Sequence, residues 1–272
     1  MGLLSVLDAQ QVAIYETFVV PRFVSMFGAL ALEMVIPCDG AVVANVGCRT
    51  GFPDQLAGRY LPGGTLVGFD PSEAALALAR TKGALVSDIT LDYRYADDLP
   101  LPVSDGSFSH VMALYPVIEP ARRSELLVEL ARLLAPGGQL LLSLPLRGSY
   151  QEVADLLREF ALKHDAGEVA KALESHITSR PTLEGISEEL ESAGLDDIDV
   201  EVRLMTLSFR SGRDFLEDPI TRVMLVPDLE LSLGLNDIVT PMSYVREAID
   251  RYWSEGDFEL SVNIGCASAR KF

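Results

Sequence analysis

Cysteine and histidine are scarce in this chain of 272 residues, with three of each. Cys38, Cys48 and Cys266 are far apart, odd in number and in no paired spacing. That pattern argues against a disulfide framework or a zinc site and leaves them as small buried hydrophobes. His110, His164 and His176 are equally scattered, so no metal site is expected. Basic residues are few as well: 22 Lys and Arg stand against 40 Asp and Glu, a formal charge of -18. Such a balance opposes binding to a phosphate backbone unless positive charge is concentrated locally. The densest basic pairs, Arg122 with Arg123 and Arg270 with Lys271, read as solvated faces, and nucleic acid is not an expected partner. The N-terminal MGLLSVLDAQQ has no early Lys or Arg, and Asp8 interrupts its apolar stretch, so it does not read as a secretory signal. Val6 stands where a myristoylated Gly2 calls for Ser or Thr. No uninterrupted stretch of membrane-spanning length is legible, no membrane partner is expected, and a cytoplasmic location is.

Apolar residues, by contrast, make up 49% of the chain, enough for one large core. From Ala41 onward, short β-rich runs alternate with helical patterns, which predicts an α/β protein with a mostly parallel sheet and helices on both faces. Strands are predicted at Ala41 to Val46, Thr65 to Phe69, Ile89 to Tyr95, Phe108 to Leu114 and Gln139 to Leu144. Helices are predicted at Phe52 to Tyr60, Ala74 to Lys82 and Arg122 to Leu134, the last ending at Pro136-Gly137-Gly138. Two amphipathic helices, Gln151 to Lys163 and Ala166 to Ser175, read as an insertion. A helix from Leu183 to Ala193 and a strand within Ile198 to Phe209 resume the alternation, and Phe258 to Ala267 is predicted as a final edge strand. The economical organisation is one domain over 1–272: N-terminal helices at 1–39, a ligand-binding half at 40–148, a helical insertion at 149–180, and completion of the sheet at 181–272 with an irregular insert at 214–255.

Open parallel sheets bind ligands beyond the carboxyl ends of their strands, where a glycine-rich turn lets backbone approach the ligand. Asn45-Val46-Gly47-Cys48-Arg49-Thr50-Gly51 occupies such a place. Together with the helix Tyr15-Glu16 to Pro21-Arg22-Phe23, Gly68-Phe69-Asp70-Pro71-Ser72, Asp98-Leu99-Pro100-Leu101-Pro102, Asp105-Gly106-Ser107-Phe108 and Leu134-Ala135-Pro136-Gly137-Gly138, it resembles the class I S-adenosylmethionine (SAM) methyltransferases of the small-molecule branch. The resemblance spans most of the chain. It implies a Rossmann-like fold with a seven-stranded sheet and a SAM pocket formed by Asn45, Gly47, Cys48, Arg49, Gly51, Asp70, Pro71, Tyr95, Ala96 and Leu114. Asp70 would accept hydrogen bonds from both ribose hydroxyls, or cap the helix that starts at Pro71.

This chain departs from that family's pattern at several points. Asn45 stands where the family carries a carboxylate facing the methionine ammonium, and Arg49 replaces the central glycine of the loop. Arg49 can turn away from the pocket, lie across it and exclude the cofactor, or recognise an acidic ligand. The acid expected to hold the adenine amino group aligns with Tyr95, and a two-residue slip would bring Asp97 into its place. On these departures the expected function is a methyltransferase-fold protein with weakened or lost SAM binding and a binding or regulatory role towards a small molecule or a protein partner. The other reading is an active small-molecule methyltransferase. In that case Tyr15, Tyr115 and Glu119 are the candidates to line the substrate, under a lid of the N-terminal helix, Gln151 to Ser175 and Met224 to Leu235. Packing in the core is the other expectation for both tyrosines. The apolar stripe Phe18, Phe23, Phe27 and Leu30 reads as core or as a homodimer contact.

Overall fold

The computed structural model describes residues 6–234 and 237–272. In chain order the helices are α1 (Ala9–Ile14), α2 (Ser25–Glu33), α3 (Asp54–Ala57), α4 (Glu73–Gly83), α5 (Arg123–Leu133), α6 (Gln151–Lys163), α7 (Gly167–Ser179), α8 (Leu183–Ser192), α9 (Gly212–Glu217), α10 (Val226–Leu233) and α11 (Val239–Tyr252). The strands are β1 (Val42–Val46), β2 (Thr65–Asp70), β3 (Thr90–Tyr95), β4 (Phe108–Leu114), β5 (Leu134–Pro145), β6 (Asp196–Phe209) and β7 (Phe258–Arg270). They form one sheet in the order β3-β2-β1-β4-β5-β7-β6. The sheet is mostly parallel, with an antiparallel hairpin. β1 lies parallel to both β2 and β4, opposing Asn45 to Gly68 on one side and to Met112 on the other.

Two compact units divide the chain. The first comprises Met1–Leu144, Leu183–Glu201 and Gly265–Phe272, and the second Pro145–Thr182 and Val202–Ile264. The core of the first unit is the continuous apolar run of β1, β4 and β5, with Val43, Val111, Leu140 and Leu141 wholly buried, as a strand covered on both faces requires. Residues 9–33 form one unbroken helix, against the expectation that no segment reaches membrane-spanning length: Ala9–Glu33 passes by length and composition. Its apolar face is spent inside the unit, where Val19, Phe23 and Phe27 are fully buried. Its start is fixed by a reciprocal cap, Gln11 N donating to Asp8 Oδ1 at 2.8 Å and Asp8 N to Gln11 Oε1 at 3.0 Å. Pro21 has no N–H and crowds the preceding turn, and Tyr15–Val24 takes the wider π-helical winding that tolerates it.

Several expectations need correction. The helix expected over Phe52 to Tyr60 is only Asp54–Ala57, because Pro53 precedes it and Gly58 follows, pressed against the Asp88 carboxylate. Strand β5 begins at Leu134 and runs through Pro136-Gly137-Gly138, where Gly137 N donates to Lys271 O at 2.6 Å and Lys271 N to Gly138 O at 3.1 Å; pairing with β7 turns a helix stop into strand. Strand β7 is not the edge: it lies between β5 and β6, and β6 is outermost, consistent with its exposed, charged first half. The insert at 214–255 is helical rather than irregular, built of α9, a π-helical turn at Thr221–Leu225, α10 and α11. Leu235, the end of the expected lid segment, lies outside the described residues, as do positions 1–5.

Candidate functional site at the ends of β1 and β2

The glycine loop leaves β1 at Gly47, whose N–H and that of Cys48 both donate to Phe69 O of the neighbouring strand, at 2.8 and 3.1 Å. This tie holds the loop against the end of β2. Arg49 then adopts φ 51°, a left-handed conformation costly for a residue with a Cβ. Its N–H donates to Asp70 Oδ2 at 3.0 Å, and Ser72 N donates to Asp70 Oδ1 at 2.9 Å. Asp70 is wholly buried. It braces both turns; the helix cap is Ser72, whose Oγ accepts from Ala75 N at 3.1 Å and donates to Leu7 O at 2.6 Å. Burial pushes the Asp70 carboxyl up, opposed by the charge of Arg49 and by the two backbone N–H groups.

Arg49 itself is buried, and its charge also acts on Tyr15 of the N-terminal helix and on the Cys48 thiol. Tyr15, Arg49 and Asp70 therefore share one buried cluster. Burial raises both the Tyr15 hydroxyl and the Cys48 thiol, so both stay protonated near neutral pH.

On the other side of the loop, Asn45 Nδ2 donates to Asp54 Oδ1 at 2.6 Å. Sequence reasoning did not find Asp54; its signal was a lone carboxylate just beyond the loop, legible only once the short α3 folds back on β1. Asp54 is fully buried and its carboxyl is pushed up to about 6, by burial first, opposed by the hydrogen bond from Asn45, the neighbouring Tyr93 hydroxyl and the charge of Lys82. Lys82 Nζ in turn donates to Glu16 Oε1 at 2.6 Å and to Thr50 O at 3.0 Å, tying the N-terminal helix to the loop. Around this point Asn45 Oδ1, Thr50 Oγ1, Gln55 Nε2 and Glu16 Oε2 are buried without a hydrogen-bond partner among the described residues, and so are Asp54 Oδ2 and the neighbouring Tyr93 hydroxyl. Native interiors leave few such atoms, so a group of them marks a place for a polar ligand or water.

A shallow concavity opens beyond β2 and is lined by Val46, Phe69, Ala96, Asp97, Asp98, Leu99 and Leu101. Tyr95 is not among these residues: it is 47% exposed, and its hydroxyl donates to Asp97 Oδ2 at 3.2 Å. The carboxylates two and three residues later are the ones at the concavity. Asp98 is held by Arg122 at 2.7 Å, which lowers its carboxyl. Leu114 and Pro71 are buried next to their strand ends, and Ala96 is half-buried. Tyr115, at φ 49°, packs edge-on against Phe23 and Phe27 with ring centroids 5.4 and 5.1 Å away, a core contact of the N-terminal helix. Glu119 is half-buried at the entry to the 3-10 turn Pro120–Arg122. Of the apolar stripe, Phe23, Phe27 and Leu30 are core, and Phe18 is exposed.

The residues present fit SAM at its two ends. Apolar walls with nearby carboxylates suit an adenine at the concavity, and the orphaned acceptors at Asn45 and Asp54, with the Gln55 donor, suit an amino acid group. At the middle, the expected ribose acceptor Asp70 already accepts from Arg49 N and Ser72 N, and the Arg49 charge acts on it.

Comparison with known proteins agrees with this architecture. Residues 43–138 match the family described as a methyltransferase domain. Methyltransferase GfsG of Streptomyces halstedii is 32% identical over 161 residues, covering 58% of this chain and 53% of that protein; the chain thus spans about half the length of this curated relative. Among solved structures, the YcgJ protein from Bacillus subtilis superposes with a TM-score of 0.58 at 13% identity, covering 91% of this chain and 98% of that one. The (4+2) cyclase SpnF superposes with a TM-score of 0.54 at 18% identity, covering 99% and 86%.

Proposed function

We propose that this chain, which has a Rossmann-like methyltransferase fold and matches the methyltransferase domain family at residues 43–138, binds SAM weakly and serves as a binding protein rather than as an efficient methyltransferase. The observation that carries this reading is Arg49, buried in a left-handed conformation with its backbone N–H on Asp70 Oδ2 and its charge acting on that carboxylate. To seat the ribose on Asp70, SAM has to bring its hydroxyls to a buried carboxylate whose oxygens already accept from Arg49 N and Ser72 N and whose charge Arg49 offsets. An interaction of that kind is worth about 1.5 to 3 kcal/mol, or roughly 10- to 150-fold in affinity. Calorimetry with SAM and S-adenosylhomocysteine tests it. The wild type should give no saturable heat at micromolar concentrations, and Arg49→Gly, which also relieves the left-handed backbone, should bind at least about tenfold tighter. Micromolar binding by the wild type overturns the reading.

One observation favours the second reading, an active methyltransferase acting on a small molecule. The carboxylate missing at Asn45 is present at Asp54, 2.6 Å from the Asn45 amide. SAM, when bound, supplies a sulfonium methyl that transfers in line to a nucleophile, and such transfer needs alignment more than a base. On this reading the wild type binds SAM, and Asp54→Asn weakens it. The name of GfsG supports methyl transfer, whereas the fold by itself does not choose a reaction, since SpnF is named for cyclisation.

A further inference from the structure

The two edges of the sheet are built differently. β3, at one end, has six residues, and its Asp92 and Arg94 pair with each other at 2.7 Å. β6, at the other, runs for 14 residues without a Pro or a Lys, and among the described residues its one strand neighbour is β7. Soluble proteins blunt such edges with short strands, Lys, Pro or a bulge, because a row of unpaired N–H and C=O groups templates another strand. In β6 a left-handed Asp197 disrupts the start of the strand alone. Further on the side chains alternate: Met205, Leu207 and Phe209 are buried, whereas Val202 and Leu204, on the other face, are 40% and 67% exposed.

The run Val200-Glu201-Val202-Arg203-Leu204 is complementary to itself. A two-fold axis normal to the sheet lays β6 antiparallel on a second copy of β6 and preserves the faces, so residues of equal parity stand opposite each other. With the axis through Val202, Glu201 of one copy faces Arg203 of the other, twice, and Val200 faces Leu204, twice, around a central pair of Val202 side chains. Moving the axis one residue either way opposes Glu201 to its own copy or Arg203 to its own copy, so charge selects this register. The antiparallel sense also sends the acidic starts of the strand, Asp196, Asp197 and Asp199, to opposite ends. The two copies of Asp197 are then about ten residue rises, roughly 34 Å, apart, beyond the screening length at ordinary salt. From this self-complementary edge we infer that β6 pairs with β6 of a second copy of this chain, joining two sheets in an antiparallel homodimer centred on Val202. The interface needs neither SAM nor methyl transfer.

Sedimentation velocity of the full chain, from about 1 to about 100 μM, tests this beside Glu201→Arg and Arg203→Glu. The wild type should pass from monomer to dimer within that range. Each reversal sets like charges opposite each other at both pairs and should dimerise about tenfold or more weakly, with an unchanged far-UV spectrum. An equimolar mixture of the two variants restores opposite charges at both pairs and should dimerise like the wild type, a rescue that requires position 201 to face position 203 of the other copy. Leu204→Lys, at an exposed site of the single copy, removes the contact with Val200 and should also weaken dimerisation, which keeps the test open if a reversal fails to fold. A monomer throughout the range, a dimer indifferent to these substitutions, or a mixture no better than its components overturns the inference.

Discussion

At the scale of single residues, Asp54 is the group whose titration folding alters most usefully. Its folded value of about 6 lies above the ordinary 3.8, so the native state prefers the protonated acid. The stability this preference contributes is complete below about pH 4 and is lost as the pH rises to about 6, in all roughly 3 kcal/mol. Urea unfolding of wild type and Asp54→Asn across that window should show a steeper fall for the wild type. Asparagine keeps an acceptor for the Asn45 amide and carries no charge to bury. Parallel slopes would place the titration elsewhere. Gly68 offers a second test: a Cβ there would stand 2.6 Å from Tyr93 Cδ1 and 2.8 Å from Cys48 Sγ. Neither neighbour is the free end of a long chain, so Gly68→Ala should destabilise by about 1 to 3 kcal/mol in the same unfolding measurement.

At the scale of elements, helix α5 supports the concavity without lining it. Glu129, 5% exposed, accepts from Leu101 N at 2.7 Å and from Arg132 through both oxygens at 2.7 Å. Arg132 in turn donates to Leu101 O and Val103 O. The 101–103 segment is thereby fixed to the helix. Glu129→Ala leaves Leu101 N and Arg132 short of a buried acceptor and should cost about 2 to 4 kcal/mol in denaturant unfolding. Hydrogen exchange at Leu101 should rise with it. Gln139 does comparable work at the opposite ends of the strands: its amide donates to Met34 O and Ser268 Oγ and accepts from Ile36 N, tying the end of the N-terminal helix to β5 and β7. Gln139→Leu should therefore lower the melting temperature although it adds apolar volume, because it strands polar groups of the backbone.

At the scale of the whole molecule, 40 acidic against 22 basic side chains leave the folded chain repelling itself. Raising salt from about 10 mM to about 150 mM shortens the screening length from about 30 Å to about 8 Å, and the melting temperature should rise with it. A fall would mean that the ion pairs lose more than the net charge gains. The Rossmann-like class was legible in the sequence because strand and helix periods are local: Phe108 to Leu114 and Gln151 to Lys163 are found as read. Cap and turn chemistry such as Asp8 with Gln11, or Gly194 at φ 85°, is equally local. The sequence by itself determined this periodicity and the order of motifs at the strand ends. Tertiary structure alone decided that β7 lies inside β6, that Asp54 meets Asn45 and that Arg49 is buried with its backbone N–H on Asp70. Each of these joins residues whose pairing depends on what else packs around them, and a side chain's charge state and partners are set by burial, which no local pattern encodes.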